Sequence, residues 1–508
     1  MYPGVHAAER PDHPAVIVAG SGTRLTYRGL DDRSLRLANA LRAAGLGEGD
    51  VVALLTDNDP RAFEVYWAAA RSGMYVCAVN NHLQASEISY IVEDSGAGAL
   101  VVSAALADLA RGVADEVAVG TRLAFGGPVA GFDDYERVLA AASTRRPDRQ
   151  PRGADLLYSS GTTGRPKGIK PALPDRQVDE PGDRLVDLLR AAYGFGSDSV
   201  YLSPAPVYHA APLRFCASVH ALGGTVVLME RFDAEEALRA IERHGVTHSQ
   251  WVPTMFVRML RLPDEVRARY DLSTHRVAVH AAAPCPVEVK RAMIDWWGLI
   301  LHEYYSATEG IGMTLIDSRQ WSEKPGSVGR AVLGVVHICD DDGRELPPGE
   351  VGTVYFEREE QAFEYLGDPE KTRAARHPAH SGWATVGDLG YLDEDGFLYL
   401  TDRKAFLIIS GGVNIYPQEV ENVLAPHPAV LDVAVIGVPD EEMGESVKAV
   451  VQPAPGAAPG PELERELIEH VRARLAHYKA PRSVEFVDAL PRTPTGKLVK
   501  GKLEEQTS

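Results

Sequence analysis

The stretch Tyr158–Gly168, YSSGTTGRPKG, carries the strongest local pattern in the chain. Its small Ser, Thr and Gly side chains leave backbone N–H groups exposed, and Lys167 adds a positive charge, which together suit a phosphate chain. It is not a Walker A loop, because Pro166 stands where that motif needs Gly and Gly168 stands where it needs Ser or Thr. A flexible Gly/Ser loop is the alternative, but the order of residue types favours a phosphate-binding loop.

The sequence on both sides of this loop alternates between strand-like and helical patterns. Apolar runs typical of buried strands occur at Val51–Leu55, Met74–Val79, Thr225–Leu228 and Thr247–Val252. Helical patterns lie between them at Arg61–Arg71 and Ala234–Arg243. Strands that alternate with helices indicate βαβ units and a parallel sheet, with ligand sites at the ends of the strands.

The last third of the chain shows two other patterns. Short strand-like runs separated by Asp-Gly and Pro-Gly turns occur at Val328–Ile338, Gly352–Phe356 and Gly396–Leu400. After Arg403, three strand-like runs and an amphipathic helix follow at Val433–Val438, Val447–Val451, Glu462–Leu475 and Ser483–Val487. We expect a β-rich subdomain near residues 325–400 and a separate α+β unit of about one hundred residues after it, an ordinary domain size.

Composition excludes several classes of protein. The chain has 508 residues and a net charge of −19. An acidic chain is a poor candidate for binding nucleic acid, which requires a basic face. The cysteines, Cys77, Cys216, Cys285 and Cys339, form no CxxC pair, so neither a disulfide framework nor a zinc site is expected. No signal peptide and no apolar run of membrane-spanning length is found, so we expect a cytoplasmic protein, with a peripheral membrane contact left open.

Three further clusters suit nucleotide chemistry, and one of them consists of two segments, Thr385–Gly390 and Thr401–Gly412. In Tyr304–Gly310, YYSATEG, Glu309 is a hard oxygen ligand for Mg²⁺, Thr308 is a hydroxyl donor, and the two tyrosines suit stacking on a purine. Core packing with a helix cap is the alternative for this motif. In Thr385–Gly390, TVGDLG, Asp388 suits two ribose hydroxyls, although an ordinary turn aspartate is the alternative.

The remaining two segments lie toward the end of the chain. Thr401–Gly412, TDRKAFLIISGG, contains Arg403, which suits a hydroxyl or a phosphate. Pro491–Lys500, PRTPTGKLVK, places Lys497 on a loop between turn-forming residues, and a solvated basic tail is the alternative interpretation.

These four clusters, in this order, resemble the adenylate-forming superfamily of acyl-CoA synthetases, peptide-synthetase adenylation domains and beetle luciferases, and in particular its acyl-CoA synthetase branch. The resemblance covers nearly the whole chain, from about Leu25 to Leu503. It implies an α/β fold with a large N-terminal domain, residues 1–403, that holds two doubly wound sheets plus a small β-rich subdomain. A small mobile α+β C-terminal domain, residues 404–508, is expected to follow.

The resemblance implies an ATP site built from all four clusters. The phosphate-loop positions are Ser159, Ser160, Gly161, Thr162, Thr163, Gly164 and Lys167. Thr308 and Glu309 would hold the α-phosphate and Mg²⁺, with Glu309 as the metal ligand. The adenine and ribose positions are Ala282, Ala283, Pro284, Tyr304, Tyr305, Asp388 and Arg403.

The resemblance also implies the residues for the acyl and thiol chemistry. Lys497 would bridge the carboxylate and the α-phosphate during adenylation, and His209 would lie beside the acyl channel as a further catalytic position. Coenzyme A would face Ser410, Gly411, Gly412, Tyr478 and Lys479. The implied activity is an AMP-forming acid–thiol ligase, which activates a carboxylic acid with ATP, forms the CoA thioester and releases AMP and pyrophosphate.

The acyl substrate is expected to be apolar: a medium-chain or long-chain fatty acid, an aryl acid or a steroid-type acid. His209 stands where peptide synthetases hold an amino group with Asp, and Ser306 stands where acetate enzymes close the pocket with Trp. Pocket positions are Trp251, Val252, Met255, Ala281 and Ser306, joined by Pro212, Leu213 and Phe215. The residues from Pro212 to Met255 are equally compatible with plain core, since apolar residues are the usual interior.

Two departures from the family pattern and two rival functions stay open. The usual hinge Asp or Lys is replaced by Ala405, and Glu364 stands where Gly is usual. One rival is an adenylating enzyme that loads an acyl carrier protein, and the other is a catalytically inactive protein that binds acyl ligands. The expected partners are a small carboxylic acid, ATP and coenzyme A, and a homodimer is compatible with the sequence.

Overall fold

The computed structural model describes the chain except for residues 160–165, 360–362, 404–405, 411–412, 441–442, 493–497, 499, 501–502 and 504–508. For Ser159 and Arg403 it describes the backbone alone. Among the described residues no helix is long and apolar enough to cross a membrane.

The strands in chain order are β1 Pro14–Val18, β2 Arg24–Thr26, β3 Val51–Leu55, β4 Tyr75–Val79, β5 Ala97–Ser103, β6 Thr121–Phe125, β7 Asp133–Asp134, β8 Ala154–Asp155, β9 Leu157–Ser159, β10 Lys167–Ile169, β11 Val200–Ser203, β12 Thr225–Leu228, β13 His248–Trp251, β14 Val277–His280, β15 Leu301–Ser306, β16 Met313–Asp317, β17 Arg330–Leu333, β18 Val335–Cys339, β19 Gly352–Glu357, β20 Trp383–Ala384, β21 Asp388–Leu392, β22 Leu398–Arg403, β23 Ile408–Ser410, β24 Val413–Ile415, β25 Val430–Asp440, β26 Gly444–Pro453 and β27 Ser483–Phe486.

The helices are α1 Pro3–Glu9, α2 Tyr27–Ala43, α3 Arg61–Ala70, α4 Ala85–Asp94, α5 Ala107–Glu116, α6 Tyr135–Ala141, α7 Arg184–Tyr193, α8 Ala210–Leu222, α9 Ala234–His244, α10 Pro253–Leu260, α11 Asp264–Arg267, α12 Val287–Trp297, α13 Ser318–Glu323, α14 Pro369–Ala374, α15 Pro417–Leu424 and α16 Pro461–Arg472. Short 3₁₀ turns lie at Ala104–Leu106 and His477–Lys479.

Two large sheets form the first part of the chain, as the alternating pattern predicts. The first runs β7-β6-β5-β3-β4-β8 and its strand pairs are parallel. The second runs β17-β16-β15-β14-β13-β11-β12-β1-β2, with a parallel centre and antiparallel edges. Strand β3 is buried along its whole length because VVALL is apolar at every position, as in a strand covered on both faces. The two sheets confirm the predicted α/β class.

The predicted single strand Val328–Ile338 is wrong, because the structure divides this run between two sheets. Strand β17 ends the second large sheet, whereas β18 begins a smaller antiparallel sheet, β18-β19-β21-β22. Gly334 turns the chain between them with φ of +80°, and a Cβ there would meet the Glu357 carbonyl oxygen at 2.8 Å. Apolar residues continue across this Gly, so periodicity alone could not locate the break.

The C-terminal α+β pattern is confirmed as a compact unit. The strand order is β24-β23-β26-β25, with β27 parallel to β26. Helices α15 and α16 pack against this sheet around a buried cluster that includes Leu424, Val435 and Leu467. The boundary between residues 403 and 404 stays a prediction.

Candidate active site

Strand β15 positions the first part of the candidate site. The chain leaves the sheet after Ser306 and makes a tight turn in which the Gly310 N–H donates to the Ala307 carbonyl at 3.0 Å. Gly310 takes φ of +66°, a conformation that favours glycine. Thr308 and Glu309 therefore lie on the turn just beyond the carboxyl end of a strand at the sheet's parallel–antiparallel junction, the usual place for a ligand crevice.

Tyr305 and Asp388 meet at this turn although they lie far apart in sequence. The Tyr305 phenol donates to Asp388 Oδ2 at 2.6 Å, and Asp388 is 6% exposed. Asp388 is also the cross-strand partner of Arg403 in the β21–β22 ladder. The structure thus brings together the predicted adenine-stacking residue and the predicted ribose pair, with the Arg403 side chain outside the described residues.

Strand β10, which follows the phosphate loop, contacts the segment after residue 364. Lys167 Nζ lies 3.0 Å from Asp368 Oδ2, and this hydrogen bond raises the pKa of Lys167. The Leu366 N–H donates to the Gly168 carbonyl at 2.8 Å. Lys167, predicted as a phosphate ligand, therefore has the Asp368 carboxylate as a competing partner.

Glu309 is held by a residue of the same segment. The Tyr365 phenol donates to Glu309 Oε1 at 2.9 Å. Neither Asp368 nor Tyr365 was identified from the sequence, and only their position beside Glu364 in the FEYLGDPEKT segment could have drawn attention to them.

The described residues include no group of three or more His, Cys, Asp or Glu side chains arranged to hold a metal ion. A site for Mg²⁺ with one carboxylate still fits, because Mg²⁺ in nucleotide enzymes is held by one or two carboxylates together with substrate phosphates. Glu309 would supply that carboxylate, and its role as the metal ligand stays a prediction.

Tyr304 faces away from Tyr305, which corrects its predicted place beside adenine. Successive side chains of a strand point to opposite faces. The Tyr304 ring stacks on Phe215 with centroids 6.1 Å apart, and its hydroxyl accepts a hydrogen bond from Gln250 Nε2 at 3.1 Å. The Tyr305 ring instead packs near Phe356. The two tyrosines therefore cannot stack on one purine.

The Ala281–Pro284 loop follows β14 beside this strand. Ala282 is the one described non-glycine residue with positive φ, at 78°, and the Ala281 N–H donates to the Trp251 carbonyl at 3.3 Å. Ala283 and Pro284 continue the loop toward α12. Sparsely populated backbone conformations of this kind cluster at ligand sites, and the adenine role of the loop stays a prediction.

An ion pair that the sequence did not predict lies next to this loop. Lys290 is fully buried, and its Nζ lies 2.6 Å from Glu303 Oε2. Burial raises the pKa of Glu303, while Lys290 opposes the shift. Removing one partner of such a pair is strongly destabilising because a buried charge is left uncompensated. The pair fixes α12, the helix that follows the loop, against β15.

The predicted acyl-pocket residues divide into two groups. Trp251 is 1% exposed and packs with Phe256 and Trp297, so the structure favours core for this residue. Val252 and Met255 are also buried in that core cluster.

The other positions lie on or at the start of α8 and at the end of β15. His209 is the N-cap residue of α8 and its ring lies 4.5 Å from the Tyr208 ring. Pro212 and Leu213 are buried in the same helix. Ser306 donates to the Gly312 carbonyl at 2.8 Å, which joins the two strands of the β15–β16 hairpin.

The predicted coenzyme A positions belong to the C-terminal unit. Ser410 ends β23 and is buried, Tyr478 is 55% exposed, and Lys479 forms an ion pair with Glu419. Several predictions lie outside the described residues, namely those for Ser160, Gly161, Thr162, Thr163, Gly164, Gly411, Gly412 and Lys497, and the hinge prediction for Ala405.

Family comparison matches most of the chain. Residues 5–366 match the family of AMP-binding enzymes, and residues 419–497 match the AMP-binding enzyme C-terminal domain.

Relatives that match nearly the whole chain are named for different acceptors of the acyl group, coenzyme A in one and an acyl carrier protein in another. A feruloyl-CoA synthase of Amycolatopsis sp is 37% identical over 503 residues, covering 97% of this chain and 96% of the relative. The fatty acid–acyl-carrier-protein ligase ScoC of Streptomyces coeruleorubidus is 33% identical over 515 residues, covering 99% and 95%. The structure of the amide bond synthetase McbA from Marinactinospora thermotolerans matches with a TM-score of 0.82 and 30% identity, covering both chains completely.

Proposed function

This chain belongs to the AMP-binding enzyme family, and on that premise we propose that it is an ATP-dependent ligase that joins an apolar, preferentially aryl, carboxylic acid to coenzyme A. The observation that carries the proposal is the convergence of Tyr305 with Asp388, and of Glu309 with Tyr365, at the end of β15. Relatives that cover nearly the whole chain are named CoA ligases, so the family chemistry is that of an AMP-forming acid–thiol ligase.

In the proposed first step a carboxylate oxygen of the acid attacks the α-phosphorus of ATP, and pyrophosphate leaves. Such a step depends on positioning and on neutralising the charge that develops on the phosphate. Asp388 would hold the ribose, Thr308 would donate to the α-phosphate, and Lys497 would orient the acid. Mg²⁺ held by Glu309 would supply charge neutralisation for the phosphates.

In the proposed second step the thiolate of coenzyme A attacks the carbonyl carbon of the acyl-adenylate, and AMP leaves with the electron pair of the cleaved acyl–phosphate bond. Ser410, Tyr478 and Lys479 would line the path of the thiol. In the orientation described here Tyr478 is exposed and Lys479 is paired with Glu419 of the same unit. The second orientation of the C-terminal unit that the family resemblance implies would bring both residues to face the thiol.

The aryl preference rests on Tyr304 and on the similarity to the feruloyl-CoA synthase. The Tyr304 ring stacks on Phe215 and its hydroxyl accepts from Gln250, two residues before Ser306, where the sequence predicts an open channel. A ring beside that channel would shorten it and would give the acid an apolar face to pack against. A compact planar acid would fit such a pocket better than a long alkyl chain.

The first test is ATP–pyrophosphate exchange with aryl acids, including ferulate and anthranilate, and with fatty acids of graded length. We expect exchange with an aryl acid to exceed that with octanoate and palmitate. Absence of exchange with every acid would favour the rival hypothesis of an inactive binding protein.

The second test compares acceptors once an active acid is known. Coenzyme A, a holo-acyl carrier protein and a simple amine are added to the preformed acyl-adenylate, because relatives with each of the first two acceptors and a structural neighbour named as an amide bond synthetase are similar over the full chain. Thioester formation with free coenzyme A is expected to be fastest. A carrier protein that outpaces it would replace the proposed acceptor but not the adenylation step.

A further inference from the structure

A basic cavity lies on the opposite side of α8 from Tyr304. It has a volume of about 250 Å³ and is lined by α3, the segment around residue 153, the segment before α7, and α8. From α8, Arg214, Ala217 and Ser218 face the cavity, whereas Phe215 stacks on Tyr304. The cavity is therefore separate from the candidate active site, with one helix between them.

Positive charge exceeds negative charge around this cavity. Four arginines line it, Arg152, Arg176, Arg184 and Arg214, against two carboxylates, Asp155 and Asp183. This local excess occurs in a chain whose net charge is −19. Burial and the charge of Arg152 both lower the pKa of Arg176, the result expected when two guanidinium groups are crowded together.

Both carboxylates are already occupied. Asp155 Oδ2 accepts from Arg214 Nε at 2.8 Å and lies 2.7 Å from Arg214 Nη2. Asp183 is the N-cap of α7, where its Oδ1 accepts from the Leu185 and Val186 N–H groups. Its Oδ2 forms ion pairs with both Arg152, at 3.4 Å, and Arg176, at 3.6 Å. The amides at the start of α7 are thus capped, and Arg152 and Arg176 share one carboxylate oxygen, with Arg176 also donating to the Glu180 carbonyl at 2.8 Å.

Arg152 shows this shortage of acceptors directly. It is 9% exposed, its guanidinium lies 5.1 Å from the Trp67 ring, and its Nη1 is buried with no hydrogen-bond partner among the described residues. A buried donor without an acceptor is destabilising, and more so when the group is charged. An oxygen-rich anion in the cavity would supply acceptors and neutralise the excess charge at once.

We propose that this cavity is a binding site for a small oxyanion, a phosphate or a carboxylate, held by Arg152 and Arg176 and distinct from the nucleotide site. Arginine is suited to both anions because its planar fork binds two oxygens at once. The cavity volume excludes a whole nucleotide and admits inorganic phosphate or a short carboxylate. The anion would bridge the segment that holds Arg152 to the segment that holds Arg176, just before α7.

The test measures binding of inorganic phosphate by equilibrium dialysis in chloride-free buffer. The full chain is first saturated with ATP and Mg²⁺ in the absence of any acid, so that the nucleotide site is filled and no turnover occurs. Acetate and succinate are measured in parallel to separate a phosphate site from a carboxylate site, with a non-cleavable α,β-methylene analogue in place of ATP so that neither acid is adenylated. We expect one anion to bind per chain. The tighter binder of the two, phosphate or carboxylate, identifies the kind of ligand that the cavity takes.

The variants Arg176→Gln and Arg152→Gln are expected to weaken anion binding by about tenfold or more, since a hydrogen bond to a charged group is worth about 1.5–3 kcal/mol. Arg239→Gln, an exposed arginine of α9, is the matched control and should bind like the parent. If Arg152→Gln fails to fold, the more accessible Arg176 decides the result. The proposal is overturned if the ATP-saturated parent binds neither anion class, or if Arg176→Gln binds as tightly as the control.

Discussion

At the scale of single residues, the hydrogen bond from Tyr305 to Asp388 leads to a prediction about nucleotide affinity. Tyr305→Phe keeps the ring for adenine and removes the donor that orients the Asp388 carboxylate. We expect KM for ATP to rise about tenfold with a smaller change in kcat, since hydrogen bonds to charged groups contribute about 1.5–3 kcal/mol. Steady-state kinetics of pyrophosphate release measures both constants. Tyr391→Phe, three residues after Asp388 on β21, is the control. Equal kinetics for the two variants would contradict the role assigned to Tyr305.

A second residue-scale prediction concerns the competition between Asp368 and the nucleotide for Lys167. Asp368→Asn removes the negative charge, while its side-chain oxygen can still accept from the Lys371 N–H at the start of α14. Partly exposed ion pairs are worth about 0–1 kcal/mol, so we expect KM for ATP to fall by up to about fivefold. A rise in KM would show instead that Asp368 helps to bind ATP. Glu370→Gln, an exposed acidic residue of the same helix, is the control.

The sequence predicted some of these residues and missed their partners for a physical reason. Thr308, Glu309 and Asp388 stand inside short motifs whose residue types already indicate phosphate, metal or ribose binding. Asp368 and Tyr365 matter only because the chain after residue 364 returns to pair with the phosphate-loop hairpin. No local pattern records that contact, which becomes visible only when Ile169 and Tyr365 are seen to bridge.

At the scale of elements, apolar runs located strands well where turns bounded them. Val51–Leu55 and Thr225–Leu228 form strands with the predicted bounds. Buried strands of a parallel sheet are uniformly apolar, so the run and the strand coincide. The run at Val328–Ile338 failed because exposed Val332 and Val335 continue the apolar pattern across the turn at Gly334. Side-chain direction within β15 was also missed, which misplaced Tyr304.

Tyr304 and Tyr305 lie on opposite faces of β15, so we expect a substitution at Tyr304 to change the choice of acid and not the affinity for ATP. Tyr304→Ala should lengthen the acyl channel between α8 and β13, so that long alkyl acids gain in kcat/KM relative to aryl acids. We expect the ratio to shift by about tenfold or more, since a single methylene in an apolar pocket is worth about 1–3 kcal/mol. The constants are measured by pyrophosphate release with ferulate and with fatty acids of graded length.

Tyr304→Phe separates ring volume from the hydroxyl group in the same assay. It retains the ring and should keep the parent's preference for compact acids, although Gln250 then loses one hydrogen-bond partner. If Tyr304→Ala leaves the ratio of long to aryl acids unchanged, the channel does not pass this side chain.

At the scale of the whole molecule, Arg261 joins the two parts of the chain. It follows α10, and its guanidinium donates to the carbonyls of Val430 and Leu431 in the C-terminal unit, the latter at 3.1 Å. The resemblance implies two orientations of that unit, one for each half-reaction, and this contact belongs to the orientation seen here. Such a contact has no sequence motif, because two backbone carbonyls impose no residue type on their positions.

We therefore expect Arg261→Ala to slow one half-reaction about threefold to tenfold and to leave the other near the parent rate. The range follows from the loss of charge-assisted hydrogen bonds. Adenylation is measured by pyrophosphate exchange, and thioester formation is measured from preformed acyl-adenylate. Arg258→Ala on the exposed face of α10 is the control. Equal slowing of both half-reactions would show that Arg261 supports the fold instead of one orientation.

Buried histidines make the stability of the whole chain depend on pH. Burial lowers the pKa of His220 from its ordinary value of 6.5 to about 3, and its Nδ1 accepts a hydrogen bond from Trp67 Nε1. Burial likewise lowers the pKa of His275 to about 3 and that of His248 to about 4. Below pH 6.5 the unfolded chain binds protons at these positions and the folded chain does not. Stability is therefore fully present above pH 6.5 and is lost as the pH falls toward the lowered pKa values.

For His220 alone this linkage favours unfolding by about 2 kcal/mol at pH 5, which lies about 1.5 pH units below the ordinary pKa, at about 1.4 kcal/mol per unit. We expect the melting temperature of the parent to fall between pH 7 and pH 5. The fall should be smaller in His220→Asn, which keeps an acceptor for Trp67 but does not titrate. His477→Gln, an exposed histidine, should fall as the parent does. If His220→Asn and the parent lose the same number of degrees over this range, His220 gains its proton equally in the folded and unfolded chains, and its burial does not set the acid limit of the fold.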